Sequence, residues 1–535
     1  MAKEKLNTKA AGIVALAVML SRVLGLAREL IFAALFGAGR WMDAYNVAFR
    51  APNLLRDLFA EGALSVAFVT VFSKIIVERG PDAAWVLARK MATLTLVFMS
   101  LIVVLGIVFS GPFIAVLAPG FDTDKAAFTV LLTQIMFPFI LLVSLAALAM
   151  GMLNARNVFG MPAMASSFFN LGSIVVGVAV AWCIDPHFGP RALVGMAVGT
   201  LAGGFLQMAV QFPSLRRVGF SFRPDFGWND PDVKRVLVLM VPAVVAASAV
   251  QVNVLINTVF ASKLGDGAVS WLGYAFRLMQ LPLGIFGVAI ATVTLPAVSK
   301  IAAGGDLAYF RVTLAKALRL ALFLTLPATV GLVLMSDPII GLLYQRGKFS
   351  AADTIQTGAA LKFYAAGLIA YACIKVLSPA FYALEHKWTP MVVSFISIGL
   401  NVLLNWQLTF RLGMGHRGLA LSTGLAAIAN FLMLYLLMRR AAGGMETGAL
   451  FGSLARMGVA AAGLAAICVA GHQWLGPWLG SASLLDRVWS LLAVIGAGAA
   501  VYFGLCALLR VEEAHEALVL VRRKISRRAI GSPGA

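Results

Sequence analysis

The sequence predicts an all-α polytopic membrane protein of fourteen transmembrane helices, twelve in two pseudo-symmetric six-helix lobes and two added at the C-terminus. Three observations predict it. Of the 535 residues, 61% are hydrophobic and only 12% charged, with a mean hydropathy of +0.91, a composition that belongs in a bilayer. Uncharged runs recur at Met91–Phe121, Ala126–Ala155, Asn157–Ile184, Val236–Ser262, Leu278–Ser299 and Val488–Leu509, each longer than the ~20 residues that cross the hydrocarbon as a helix. None alternates polar with apolar as a membrane β-strand would. The third observation is an internal repeat at a near-constant shift: Ala48-Phe49-Arg50 returns as Ala275-Phe276-Arg277, Ser73-Lys74 as Ser299-Lys300, and Ala155…Pro162 as Ala383…Pro390. An even number of spans per copy gives both copies the same orientation, with a site expected between them.

The first span, about 10–36, carries Arg22, Arg28 and Glu29. The apolar stretch continues past Arg22 without a small-residue cleavage site, so it is not read as a removable signal. An ionisable side chain at that depth costs at least ~2.5 kcal/mol and normally faces a watery cavity or a partner. Gly25 lies midway between the arginines, which on an unbroken helix point about 120° apart. Unwinding near Gly25 is therefore expected, letting both face one space. A straight helix with arginines reaching for the interface is the plainer alternative.

The second span, about 41–77, contains Pro52, which should kink it between Arg50 and Arg56. Asp43 lies near its outer end. Asp57 and Glu61, four apart, share a face and can pair with arginines. Spans three to six follow at about 85–110, 126–153, 162–184 and 192–212. The polar stretch Pro213–Asp232, with three prolines and four aromatics, is the expected joint. Spans seven to twelve fall at about 235–262, 268–299, 312–335, 359–384, 389–410 and 417–438, and the last two at about 454–474 and 488–509. The expected organisation is an N-terminal lobe (1–212), a cytoplasmic linker (213–234), a C-terminal lobe (235–440), a terminal helix pair (441–510) and a basic tail (511–535).

Arg277 takes the place of Arg50 in the repeat, but the second copy's first helix offers Asn253 and Asn257 where the first offers arginines. Positive charge is thus weighted toward the first half, and an anionic group should bind there. Arginine stays charged and presents paired donors suited to phosphate. Asn401 and Asn405 on span eleven form a second amide pair. Such amides could ligate Na⁺ or hydrogen-bond between helices, the commoner membrane role. Lys375 on span ten is a further intramembrane charge with no evident partner.

The net charge of +20 does not point to nucleic acid. Most of the lysines and arginines fall on inner ends and loops, which places both termini in the cytoplasm. The tail run Arg522, Arg523, Lys524, Arg527 and Arg528 reads as a contact to anionic lipid head groups. Cys183, Cys373, Cys468 and Cys506 are scattered in apolar spans with no CxxC spacing and read as buried small hydrophobes. The five histidines are dispersed, and no metal site is expected. No phosphate-binding GxxxxGK[ST] occurs: Gly347-Lys348 is followed by Phe349. Neither an ATPase nor another enzyme is indicated, so any work must come from Na⁺, another gradient or the membrane potential.

At SRVLGLARE, DAYNVAFRAPNLLRDLFAEGALSVAFV, NTVFAS…VSWLGYAFRLMQLPLGIFGVAIATVTLP and LLYQRGKF, the chain resembles the MurJ (MviN) lipid II flippase family. The resemblance runs from about Ser21 to Arg440 and includes the two extra spans. It implies the multidrug/oligosaccharidyl-lipid/polysaccharide exporter fold, with two lobes around a central cavity. It implies export of lipid II, the undecaprenyl-pyrophosphate-linked disaccharide-pentapeptide, across the bacterial inner membrane for peptidoglycan synthesis and cell shape. The family's cavity charges fall on Arg22, Arg28, Asp43, Arg56 and Arg277, with Glu29 and Glu61 as acidic motif positions. Some members have acidic residues where this chain has Phe276 and Gln280. The last two spans are expected to form a groove for the polyprenyl tail. Alternating access by a monomer among membrane lipids is the mechanism expected. The alternatives are a flippase for another polyprenyl-linked glycan and a cation-coupled drug antiporter of the MATE type. The latter should favour acidic cavity residues.

Overall fold

The computed structural model describes residues 8–58, 64–386, 388–516 and 519. Among them every regular element is helical, because in hydrocarbon a backbone must satisfy its own polar groups. Ten of the helices, or eleven when the bent pair Ala351–Ala365 and Leu368–Ala383 counts as one, are long and apolar enough to cross a membrane. The first, second and seventh expected spans are not among those ten or eleven, although their described parts form the helices Thr8–Phe36, Arg40–Leu55 with Ser65–Arg79, and Pro231–Ser262. Cys373, Cys468 and Cys506 are buried and unbridged, as small hydrophobes should be, whereas Cys183, expected to be buried like them, is exposed near the end of its helix.

Packing divides the chain into two compact units, Met1–Ser270 with Arg346–Ser350, and Trp271–Gln345 with Ala351–Ala535. The boundary falls just inside the eighth expected span rather than in the polar joint at 213–234. The first unit is built from α1 (Thr8–Phe36), α2 (Arg40–Leu55), α3 (Ser65–Arg79), α4 (Pro81–Val108), α5 (Ser110–Leu117), α6 (Thr123–Met136), α7 (Phe139–Ala155), α8 (Gly160–Ile184), α9 (Ala192–Ala209), the short α10 (Phe212–Arg217) and α11 (Pro231–Ser262). Small residues bring α8 and α9 together: a Cβ on Gly199 would lie 2.3 Å from the Gly177 Cα. Membrane helices gain dispersion contacts by this close approach, since lipid supplies no hydrophobic drive between them.

The polar joint does not hang free. Phe220 lies against Trp85 at 5.6 Å, and Val233 and Val236 enter the core built on Phe68, Phe72 and Met91. Lys90 Nζ donates to Asp230 at 2.6 Å, Arg79 pairs with Asp232, and the Asp225 N–H donates to Thr93 Oγ1 at 3.0 Å. The Lys90 ammonium holds the Asp230 carboxyl below its usual range, with the Asp232 backbone N–H adding to this.

The loop Arg346–Ser350 packs in the first unit although its neighbours in sequence lie in the second. The Lys348 N–H donates to Ala34 O at 2.8 Å. Its Nζ donates to His187 O and Phe188 O at 2.9 and 2.8 Å. Two glycines allow the approach. A Cβ on Gly347 would meet Ala34 O at 2.1 Å, one on Gly37 would meet Lys348 O at 2.7 Å, and both glycines have positive φ.

The second unit takes most of α12 (Ala268–Pro282), then α13 (Val288–Ala303) after a π-helical turn, α14 (Leu307–Leu334), α15 (Ser336–Tyr344), α16 (Ala351–Ala365), α17 (Leu368–Ala383), α18 (Thr389–Trp406), α19 (His416–Ala441), α20 (Thr447–Leu479) and α21 (Leu484–Leu508). Its core joins Phe310, Leu318 and Phe381 to Met457, Leu464 and Tyr502 of the last two helices. Tyr502 seals that junction by donating to Phe323 O at 3.0 Å.

Candidate anion-binding site

The expected break at Gly25 is not found: α1 runs unbroken from Thr8 to Phe36. The glycine instead leaves room for a neighbour. Asn170 Nδ2 of α8 lies 3.6 Å from where its Cβ would be and donates to Ser21 O at 3.2 Å. A straight helix keeps its hydrogen bonds where water is absent, and an absent side chain, not an absent turn, was what the packing required. Arg22 and Arg28 therefore leave different sides of α1. Arg22 is exposed and Arg28 half-buried.

Arg28 is more enclosed than Arg22 and Arg277, which are exposed, and than Arg56, with 15% of its side chain accessible against 23%. Its Nη2 donates to Glu29 at 3.1 Å, its guanidinium lies 5.1 Å from the Phe169 ring centroid, and its Nε is buried without a hydrogen-bond partner among the described residues. Arg56 is near enough to repel it electrostatically. Arg56 follows α2 directly, where the helix widens into a π-helical turn three residues after Pro52–Asn53. There it grips Asp57 through Nε and Nη2 at 3.2 and 3.0 Å. The other Asp57 oxygen accepts from Gln251 Nε2 of α11 at 3.1 Å. Asp57 thus pairs with an arginine, as its position predicts. Arg50 is half-buried on α2. Glu61 lies outside the described residues.

Asp43 has a different situation from the other acids. It is fully buried. Its Oδ1 accepts from the Ser270 N–H and Oγ at 2.9 and 2.7 Å, and its Oδ2 from the Gly267 N–H at 2.7 Å. It therefore caps the N-terminus of α12 from another helix, where orphan N–H groups favour a carboxylate. Lys125, also buried, reaches Asp43 at 3.2 Å and Asp266 at 2.9 Å and sits over the Phe121 ring. Arg40 completes the network through Asp122 and, at 3.8 Å, Asp266. Lys125 was not singled out from the sequence. Its charge at the start of an apolar run was the available signal.

In the second unit Arg277 is exposed on α12 and lies within electrostatic reach of Tyr344. Phe276 turns to Tyr364, ring centroids 5.3 Å apart, and Gln280 is exposed. The amide pairs fall in different units: Asn253 and Asn257 on α11 of the first, Asn401 and Asn405 on α18 of the second. Asn405 Nδ2 donates to Asn401 Oδ1 at 3.0 Å, and Ser422 of α19 donates to Asn405 Oδ1. Asn401 and Asn405 thus tie α18 to α19, and both of those oxygens already accept a hydrogen. No group of three His, Cys, Asp or Glu side chains fit for a metal occurs among the described residues.

Comparison with known proteins agrees with this architecture. Residues 32–488 match the family model described as lipid II flippase MurJ. The lipid II flippase MurJ of Burkholderia cenocepacia is 38% identical, over 91% of this chain and 94% of that one. A probable lipid II flippase MurJ of Rhizobium meliloti is also 38% identical, over 96% and 95%. Among solved structures, a lipid II flippase MurJ in an inward closed conformation superposes with a TM-score of 0.72 at 25% identity, covering 92% and 98%. An inward-facing MATE-family multidrug transporter shares the fold at a TM-score of 0.67 and 15% identity, over 81% and 98%.

Proposed function

The chain belongs to the lipid II flippase MurJ family, and on that premise we propose that it carries lipid II across the bacterial inner membrane by binding the pyrophosphate with arginines. The observation that carries the reading is Arg28: a half-buried arginine whose Nε is enclosed and unused, beside Arg56, in a chain that must keep charge out of lipid. The Glu29 and Asp57 carboxylates offset the two arginines while no substrate is bound. An arriving pyrophosphate replaces them with charge-assisted, paired hydrogen bonds. Arg22, Arg50 and Arg277 extend the same function, and the polyprenyl tail stays in hydrocarbon, along α20 and α21. The head group thereby crosses without the desolvation cost it would meet in bare lipid.

The reading includes fourteen crossings, cytoplasmic termini, lobes divided as the repeat divides them, a monomer, and access alternating between the two faces. It assigns the drive to the membrane potential, worth ~2.3 kcal/mol per charge per 100 mV. An inside-negative potential pushes an anionic head group outward. Na⁺ is left out, because the amide oxygens at Asn401 and Asn405 are engaged and no carboxylate joins them. The drug-antiporter alternative rests on fold alone.

The test replaces the wild-type gene by Arg28→Glu in a depletion strain and follows the leaflet distribution of lipid II. Accumulation in the inner leaflet, with normal protein level in the membrane, is expected. Normal export by Arg28→Glu overturns the assignment.

A further inference from the structure

Lys375 belongs to none of the clusters described so far. It lies on α17, eight residues before the helix ends at Ala383, about 12 Å along the axis. Its side of the helix is exposed, and among the described residues it has neither a hydrogen bond nor an ion pair. Lys362 on α16, by contrast, pairs with Asp337 at 2.9 Å.

The residues that share its face are informative. Tyr371, Lys375, Ser378 and Tyr382 stand at intervals of four, three and four, which aligns them within a narrow stripe of one helix. All four are exposed or half-exposed, whereas Cys373, Val376, Leu377 and Ala380 behind them are buried in the core. No exposed Leu, Ile, Val or Phe occurs on α17. The exposed residues of α18 include Val392, Phe395, Ile396 and Leu403, as a face solvated by acyl chains should. The Tyr371 phenol turns inward to donate to Thr423 O of α19 at 3.5 Å, which leaves the Lys375 ammonium, the Ser378 hydroxyl and the Tyr382 phenol in one line, groups that do not suit that solvent. They suit a water-filled surface over which a polar ligand passes.

We propose that Lys375 is a substrate-binding residue of the second unit, taking an anionic oxygen of the lipid-linked head group while Ser378 and Tyr382 line its path. This rests on the flippase reading above. The ammonium's three donors then meet a phosphate or carboxylate oxygen of the ligand as a compact point charge.

The experiment uses full-length protein in nanodiscs, with the exposed Cys183 changed to Ala and the three buried cysteines kept. Lys375→Cys is treated with an anionic, membrane-impermeant thiosulfonate, and Leu403→Cys serves as the aliphatic-face control. Lys375→Cys should react at least about tenfold faster than the control, the contrast between an aqueous and a hydrocarbon surface, and added lipid II should slow it. Protection by undecaprenyl pyrophosphate as well assigns the anion to the pyrophosphate. Protection by lipid II alone assigns it to the peptide carboxylates. Both outcomes support the proposal. Protection only by phosphatidylglycerol, or reactivity no greater than that of Leu403→Cys, overturns it. In parallel, Lys375→Gln should bind lipid II about tenfold more weakly, the worth of one charge-assisted hydrogen bond, with Lys375→Arg restoring most of the loss. Wild-type binding with an unaffected Lys375→Gln overturns this proposal alone. Failure of wild type to bind lipid II overturns the flippase reading, and this one with it.

Discussion

Changing Asp43 to Asn should destabilise the protein far more than loss of one surface charge would. The substitution keeps the shape but turns one acceptor oxygen into a donor. Oδ1 receives two hydrogens from Ser270, and Oδ2 receives the Gly267 N–H and the Lys125 ammonium. Whichever way the amide is turned, its NH₂ therefore faces two donors. Removing one member of a buried ion pair costs about 3–5 kcal/mol. Asp266 still reaches Lys125 at 2.9 Å, so part of that charge stays compensated and the lower end, about 3 kcal/mol, applies. The assay is thermal unfolding in detergent, with hydrogen exchange at Gly267–Ser270. Asp43→Asn should lower the Tm and expose those amides. Lys125→Met in the same background should cost less than it does in wild type, because residues in one network do not act additively. An Asp43→Asn protein with wild-type Tm and protected Gly267 and Ser270 amides would refute the capping role.

Gly347→Ala should cost about 2 kcal/mol or more, since its Cβ would enter Ala34 O and its φ is +59°; the Tm in detergent reads this, and an unchanged value counts against the clasp. Arg28→Lys keeps the charge but loses the planar fork, so lipid II binding should weaken about tenfold while the protein stays folded; native mass spectrometry of lipid adducts measures it. Asp230 has a depressed pKa in the folded chain, so its contribution is present above the unfolded value of about 3.9 and is lost as pH falls through the folded one. Hydrogen-exchange protection over 220–232, corrected for the intrinsic rate at each pH, should be flat from neutral pH down to the carboxylate range and fall below it, and Asp230→Asn should flatten that fall.

The helices and the arginine-rich opening were legible in the sequence because each depends on a local quantity. Apolar length decides whether a run is helical in lipid, and a charge inside such a run stands out whatever surrounds it. Gly25 was misread because a glycine in a membrane helix has two uses, a break or a close approach, and only the partner, Asn170, distinguishes them. Asp43 was placed among cavity acids because its partners, Lys125 and the turn before α12, are remote in sequence. The joint at 213–234 was recognised by composition, but its ion pairs to α3 and α4 depend on which helix ends meet there.

The loop Arg346–Ser350 has a consequence for biogenesis. The ribosome releases α1 long before Lys348, so the carbonyl of Ala34 waits for a partner far downstream, and those of His187 and Phe188 for one 161 and 160 residues on. A nascent chain truncated at Ser270 carries nearly all of the first unit yet lacks the piece that closes it. Split versions meant to reassemble from two translated fragments therefore need the cut placed after Ser350.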